Sequence, residues 1–251
     1  MGTDSVLEST PPGQSRLLWT ALRETVGQHG PQHSPQQLAD KPVRVLDCGG
    51  GSGSLAVPLA GLGAQVTVVD VSIDALGTLL RRASEAGVSE HVTAVQGEAE
   101  SLTSLFSASA FDVVLAHEVL DNVSSVPATL REIVAVLRPG GTASVVVANP
   151  VASVIGRALA GDVAGALAAV RRPSAELADL ADLAAQCEAA GLEVVSVHGL
   201  GVFTEMVPGI DLERPGAMSA LTDLESETSG RAPYRDIATR LHVMARRPAA
   251  H

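Results

Sequence analysis

The stretch Val45–Gly53 reads VLDCGGGSG and decides the fold that we predict for this chain. A short apolar run ends in Asp47, after which glycines fall at every second position, at Gly49, Gly51 and Gly53. This pattern is typical of a buried parallel strand that turns sharply into a helix. Glycines let a ligand approach the backbone, and the N-terminus of the following helix offers unpaired N–H groups to an anionic group. The pattern therefore predicts a ligand-binding turn after the first strand of an α/β sheet.

The spacing of these glycines separates two kinds of nucleotide-binding turn. A dinucleotide-binding turn has the pattern G-x-G-x-x-G, whereas this chain has D-x-G-x-G-x-G, with Ser54 where the third glycine of the other pattern would fall. The second predicted strand, Gln65–Val69, is followed by Asp70, whose carboxylate can accept hydrogen bonds from both hydroxyls of a ribose. Together the two signals favour a nucleoside cofactor over a simple tight turn with a helix-capping acid.

Predicted strands and helices alternate along most of the chain. This alternation indicates an α/β fold with a doubly wound, Rossmann-like, mostly parallel sheet and right-handed crossovers. Strands are predicted at 43–48, 65–70, 92–96, 112–116, 142–148, 192–198 and 239–246, and helices at 14–26, 53–61, 74–87, 100–106, 126–137 and 175–190.

The 251 residues, of which 46% are hydrophobic, are enough for one well-buried domain, which we predict over 1–251. Three segments stand outside the alternation. Residues 1–42 are predicted to form an N-terminal tail and helix. Residues 149–175 fit neither a strand nor a regular helix, and we interpret them as a lid or insertion over the site. Residues 204–238 are polar, acidic and interrupted by prolines, and we interpret them as an insertion before the last strand.

The charge of the chain bears on its partners. The formal net charge is −11, Lys41 is the only lysine, and aromatic residues make up 2% of the chain. Nucleic-acid-binding proteins usually carry a basic face, and base stacking needs aromatic side chains. These values favour a small-molecule partner over nucleic acid, although a local arginine patch is compatible with an acidic total.

The sequence also allows predictions about cellular location and metal binding. The N-terminal region has neither a basic start nor an apolar core, so we expect no signal peptide. The most apolar window, Val151–Val170, contains Arg157 and Asp162, whose charges make a membrane span unfavourable. Two cysteines are too few for a disulfide framework, and no Cys/His cluster has metal-ligand spacing. We therefore predict a cytoplasmic protein without a metal.

Ligands of open α/β sheets lie outside the carboxyl ends of the strands, so the residues that follow the third predicted strand are further candidates. Glu98 can accept a hydrogen bond from the amino group of an adenine, and Ala99 can offer its backbone N–H to the ring. The alternative is that Glu98 is a solvated loop acid.

Five stretches taken together resemble the class I methyltransferases that use S-adenosylmethionine (SAM): Asp47–Gly53, Val69–Asp70, Gly97–Glu100, Phe111–His117 and Leu137–Gly141. The resemblance implies that the glycine loop and the acid after the second strand bind SAM. It also implies a seven-stranded sheet with an antiparallel last strand. The cofactor-binding positions that we predict are Arg16, Asp47, Gly49, Gly50, Gly51, Gly53, Asp70, Val71, Glu98, Ala99, Glu100 and His117.

A narrower resemblance extends over nearly the full length. The chain is similar to bacterial tRNA wobble-uridine methyltransferases, which esterify a carboxymethoxyuridine, at Gly13–Arg16, Ala160–Asp162, Ala232–Tyr234 and His242–Pro248. The resemblance implies that Arg16 holds the methionyl carboxylate of SAM, whereas the simpler interpretation is an exposed helix arginine. The chain departs from these relatives in its acidic balance and its few aromatic residues.

His117 follows the fourth predicted strand, in the region where the sulfonium of SAM is expected. Methyl transfer is an in-line displacement in which the protein mainly aligns the reacting groups. A carboxylate acceptor needs no general base, but a hydroxyl or amine can need one, and His117 is then the catalytic candidate. The alternative is that its ring only packs on the cofactor. Asn149 and Tyr234 are the predicted acceptor-side residues, and for Asn149 a turn with Pro150 is the alternative.

The sequence thus predicts a SAM-dependent methyltransferase that acts on an oxygen, in a carboxylate or hydroxyl, of a small molecule or modified nucleoside. One alternative is a tRNA wobble-uridine carboxyl methyltransferase. Another is a SAM-binding protein without catalysis, because a fold does not guarantee an activity. A dinucleotide-dependent oxidoreductase is a further alternative, which the Ser54 spacing opposes.

Overall fold

The computed structural model describes residues 10–11, 15–29, 41–171, 179–204, 206–207 and 214–249. Within these residues, no helix combines the length and apolar character that crossing a membrane requires.

A seven-stranded sheet with the order β3-β2-β1-β4-β5-β7-β6 forms the centre of the protein. Only β7 runs antiparallel, against both β5 and β6, while the other described pairs are parallel. The predicted fold class is therefore confirmed, including the antiparallel last strand. The strands are β1 (Arg44–Cys48), β2 (Gln65–Asp70), β3 (Val92–Gln96), β4 (Phe111–His117), β5 (Leu137–Ala148), β6 (Glu193–Leu200) and β7 (Arg240–Arg246).

Helices cover both faces of the sheet, so its central strands are valine-rich and buried on both sides. The helices in the described residues are α1 (Arg16–His29), α2 (Ala56–Gly61), α3 (Ile73–Glu85), α4 (Leu102–Leu105), α5 (Val126–Val136), α6 (Pro150–Leu159), α7 (Val163–Arg171), α8 (Leu180–Ala189) and α9 (Ala217–Thr228). One core layer contains buried leucines of α1, α2 and α3, and the other contains those of α4, α5 and α8.

The prediction that 149–175 forms no regular helix is wrong for its described part, which contains α6 and α7. The Asn149 side chain accepts a hydrogen bond from the Val151 N–H, and Pro150 occupies the first turn of α6. Both residue types favour a helix start at these positions. The alanine-rich and glycine-rich composition concealed this start signal. Residues 172–175 lie outside the described residues.

Other element boundaries differ less. β5 begins at Leu137, which we predicted as the last residue of a helix, because Leu137 pairs with Phe111 of β4. The segment 204–238 contains α9. The predicted first residues of α1 and α8, at positions 14 and 175, lie outside the described residues.

The direction of α1 places Arg16 at the carboxyl edge of the sheet. At the other end of the helix, the His29 ring lies 3.0 Å from the Thr142 hydroxyl and 3.0 Å from the Arg138 guanidinium, near the start of β5. A helix of 14 residues spans about 21 Å, which reaches across the sheet. Arg16 accordingly lines the same cavity as Gly201 and Arg240, which lie at the carboxyl edge.

Candidate active site

The glycine loop after β1 has the backbone conformation that its sequence requires. Gly49, Gly51 and Gly53 have φ values of +66°, +53° and +78°, in the left-handed region that favours glycine. A Cβ at Gly50 would collide with the buried Asp47 carboxylate, so this position also needs glycine. At four of the five positions of the loop, a side chain would therefore either strain the backbone or clash.

Asp70, the last residue of β2, lies beside this loop and holds it in place. One carboxylate oxygen accepts a hydrogen bond from the Gly51 N–H at 2.9 Å, and the other accepts one from the Ser72 N–H at 2.9 Å. Each oxygen keeps lone pairs for a further donor, such as a ribose hydroxyl. A Cβ at Gly51 would have only Asp70 Oδ2 and a loop carbonyl within 4.0 Å, so the space in front of the loop is open.

Asp47 is a buried acid whose carboxylate receives no hydrogen bond from the described residues. Burial raises its pKa to about 7, and the negative charge of Asp70 adds to the shift. A buried carboxylate without a donor is stabilised by a proton or by a cation that a ligand brings. Asp47 therefore marks the loop as a place for a positively charged group.

The residues after β2 and β3 meet beside the loop, since these strands are parallel neighbours. Val71 leaves 64% of its surface exposed, which offers an uncovered apolar face next to Asp70. Glu98 is exposed and Ala99 is partly buried at the end of β3. The Glu100 carboxylate accepts a hydrogen bond from the Ser124 N–H at 3.0 Å and thus ties down the loop that follows β4.

His117 ends β4, and its ring is held from the next strand. Its Nε2 lies 2.8 Å from the Ser144 hydroxyl. Burial lowers the pKa of His117 to about 3, with a smaller effect from the positive charge of Arg240. The ring is consequently neutral. Glu118, the next residue, has a φ of +58° and lies 3.1 Å from Arg240, so the backbone is strained at this point of the site.

The two predicted acceptor-side residues occupy different settings. Asn149 is buried, and besides its contact with α6 its amide donates hydrogen bonds to the carbonyls of Asp236 and Ala238. These contacts connect the end of β5 to the segment before β7 and occupy the amide fully. Tyr234 is 44% exposed, and its ring centroid lies 6.1 Å from that of Phe203.

A cavity of about 1010 Å³ lies between α1, α9 and the face of β6 and β7. Its volume is in the range of small-molecule sites. Of the predicted site residues only Arg16 lines it, together with residues that sequence reasoning missed: Thr20, His198, Met218, Leu221, Arg240 and Met244. No local pattern could have identified them, because they come from four separate elements. No group of side chains in the described part of the chain has the arrangement of a metal site.

Comparisons with known proteins agree with this geometry. Residues 46–145 match the family model described as a methyltransferase domain. The chain is 28% identical to the tRNA 5-carboxymethoxyuridine methyltransferase of Escherichia coli (strain K12), over 95% of this chain and 90% of that protein. It is 31% identical to the ubiquinone biosynthesis O-methyltransferase of Methylobacterium nodulans, over 72% of each chain.

Solved structures show the same fold. The [4+2]-cyclase SpnF superposes with a TM-score of 0.58 at 20% identity, over 97% of this chain and 86% of the other. Geranyl diphosphate methyltransferase, in complex with GPP and sinefungin, superposes with a TM-score of 0.57 at 17% identity, over 92% of this chain and 80% of the other. One of these structures is a cyclase, so the fold alone does not determine the reaction, which depends on the residues of the site.

Proposed function

The chain belongs to the class I SAM-dependent methyltransferases, and from this premise we propose that it methylates a carboxylate oxygen of a small-molecule acceptor. The observation that carries the proposal is that the Asp70 carboxylate accepts a hydrogen bond from the Gly51 N–H next to the open space in front of the loop. This arrangement supplies a hydroxyl-binding acid and a side-chain-free backbone at one place, which a nucleoside requires.

The residues around the loop fit the parts of SAM one by one. Asp70 accepts the ribose hydroxyls, and Val71 packs against the adenine, whose amino group donates to Glu98 while Ala99 contacts the ring. Asp47 receives the methionyl ammonium, which supplies the cation that its buried carboxylate lacks. Arg16 binds the methionyl carboxylate, and Glu100 acts indirectly by holding the loop at Ser124.

Gly51 keeps the backbone of the loop open to this ligand, while Gly49, Gly50 and Gly53 let the loop pack closely against neighbouring side chains. When bound, SAM supplies a methyl carbon that its positive sulfur activates toward displacement. The protein contributes alignment of the acceptor with that carbon, which is the main catalytic effect that such a site can provide.

The state of His117 favours a carboxylate acceptor over a hydroxyl. A hydroxyl needs a proton acceptor with a pKa near the working pH, whereas burial holds the pKa of His117 near 3. A carboxylate is already ionised and needs no base. We therefore assign His117 to the alignment of the transferring methyl group rather than to proton removal.

The cavity and the flanking segments form the acceptor side of the proposed single domain, 1–251. Arg240 lines the end of the cavity at the carboxyl edge and offers positive charge to an acidic acceptor. In this proposal 1–42 supplies α1, 149–175 forms a lid over the site, and 204–238 supplies α9. Asn149 and Tyr234 shape the acceptor side from the segments next to the lid.

A second candidate acceptor is the wobble uridine of tRNA, because the E. coli relative that matches 95% of this chain is named for it. A carboxylate would also be the reacting group there. The net charge of −11 favours the small molecule instead, since binding to phosphates depends on positive charge.

Methyl-labelled SAM tests the proposal. The protein is incubated with bulk tRNA and, separately, with a small-molecule extract, and Asp70→Ala serves as the control that has lost the ribose contact. Label in a base-labile ester of the extract is the expected result. Label in tRNA whose transfer falls steeply with salt would replace the small acid by tRNA. SAM binding without label in either pool would favour a non-catalytic binding protein.

A further inference from the structure

A row of polar side chains crosses four adjacent strands on one face of the sheet, in the order His117 on β4, Ser144 on β5, His242 on β7 and His198 on β6. The Ser144 hydroxyl lies 2.8 Å from Nε2 of His117 and 3.0 Å from Nε2 of His242. The rings of His242 and His198 lie 5.9 Å apart between centroids. The row therefore connects the end of β4 with the wall of the cavity, which His198 lines.

The shared hydroxyl links the proton positions of two imidazole rings. A neutral imidazole carries one N–H, and a hydroxyl has one proton to donate. If both rings donated to Ser144, its proton would have no acceptor in the row. Ser144 therefore accepts from one ring and donates to the other, so that the two rings carry their protons on opposite nitrogens. The heavy-atom positions allow either direction, and the surroundings must select one.

The surroundings of the row favour neutral rings. Ser144 and His242 are completely buried, and burial lowers the pKa of both His117 and His242. The Nδ1 atoms of the three histidines are buried and have no hydrogen-bond partner among the described residues. The positive charge of Arg240 also disfavours a charged His117 ring.

We propose that Ser144 and His242 are positioning residues that hold His117 neutral and in a single tautomer at the methyl-donor site. The inference rests on the proposed function. Because Ser144 accepts from one ring and donates to the other, His117 and His242 carry their protons on opposite nitrogens. A neutral ring avoids repulsion of the positive sulfur, and a fixed ring plane keeps the acceptor and the methyl carbon aligned.

Ring ¹⁵N resonance measurements on the full chain, without cofactor, test the assignment directly. Wild-type His117 and His242 are each expected to show one neutral form, with the protons of the two rings on opposite nitrogens. Ser144→Ala is expected to change the ratio of the two forms of His117 at least threefold. His242→Phe keeps the ring volume, removes both nitrogens, and should produce the same change. The signals that are absent from the spectrum of His117→Gln are those of His117, which assigns them.

Thr142→Val is the matched control, because Thr142 lies on the same strand and its hydroxyl contacts His29 at 3.0 Å, away from the row. It should leave the His117 signals unchanged. Unchanged signals in both row variants, or an equal change in the control, would overturn the assignment. Wild-type signals that report the same protonated nitrogen in His117 and His242 would also overturn it.

Methyl transfer provides the second readout. Ser144→Ala is expected to lower kcat three- to tenfold, the range for one lost hydrogen bond, with KM for SAM within twofold. A changed tautomer with unchanged kcat would overturn the positioning role. If the wild-type protein does not bind SAM, the proposed function fails, while the resonance measurement still decides how the row is protonated.

Discussion

The cofactor side and the acceptor side of this site are built in different ways. The cofactor side is built from the turns that follow β1, β2 and β3, in which the loop Gly49–Gly53 presents backbone atoms and Asp70 binds the Gly51 N–H through its carboxylate. The acceptor side takes side chains from α1, β5, β6, β7 and α9. A backbone loop tolerates almost no substitution, whereas a cavity wall tolerates many, so the two sides should respond to mutation differently.

The largest effect is expected at Gly51, on the cofactor side of the site. Gly51→Ala places a methyl group in the open space before the loop, next to Asp70, and forces a residue with a Cβ to adopt a φ of +53°. We expect the Kd for SAM to rise at least about 100-fold, or about 2.7 kcal/mol, measured by calorimetry.

Gly63→Ala separates the two causes. Gly63 has a φ of +89° and nothing within 4 Å of an added Cβ. Gly63→Ala therefore introduces a similar backbone strain, of about 1 kcal/mol, at a position away from the site. Both variants should lose similar free energy of unfolding in urea, and only Gly51→Ala should lose SAM. Equal SAM affinities would show that the loop does not border the cofactor.

Asp70→Ala is the next largest change, because it removes the hydroxyl acceptor and the anchor of the Gly51 N–H together. The Kd for SAM should rise at least tenfold, or about 1.4 kcal/mol. Asp74→Ala, at an exposed position in the first turn of α3, is the control for lost charge. An unchanged Kd in Asp70→Ala would remove this residue from the site.

The pH dependence of SAM binding tests the proposed contact between Asp47 and the methionyl ammonium. Its raised pKa, about 7, keeps the carboxyl protonated at lower pH, whereas a methionyl ammonium favours the ionised form. Affinity should therefore rise about tenfold from pH 5.5 to 7.5, and Asp47→Asn should flatten this dependence. The same shift makes the carboxyl's contribution to the free energy of unfolding fall as pH rises from about 4 to 7. An affinity that is flat with pH in the wild type contradicts the ammonium contact.

The smallest effect is expected on the acceptor side. Thr20→Phe fills part of the cavity beside α1 and should lower methyl transfer about fivefold, with the Kd for SAM unchanged. Gly27→Phe places the same ring on the same helix at an exposed position that does not line the cavity, and transfer should stay at the wild-type level. A loss of SAM affinity in Thr20→Phe would show that the cavity also takes part in SAM binding, so that the cofactor side and the acceptor side are not separate.

Sequence patterns were reliable where structure depends on neighbouring residues. β2 and β3 match their predicted bounds because each is a short β-branched run bounded by turn or polar residues. The prediction for 149–175 failed because its helix start depends on Asn149, whose interpretation as an acceptor-side residue or a turn left the N-cap unconsidered. Asn149 was assigned by its position after a predicted strand and Tyr234 by the resemblance to a family, and neither gives information about what these side chains contact.

The sequence by itself determined the parallel sheet, the glycine loop and the acid that follows β2, because these depend on strand periodicity, on backbone conformations that only glycine adopts easily and on strand ends that meet at one edge. The antiparallel last strand came from the resemblance to a family. Only the tertiary structure decided that Asp47 is buried without a donor, that Ser144 joins two histidines, and that Arg16 shares a cavity with Arg240. Such contacts depend on the packing of distant elements, and burial then fixes the charge of each group.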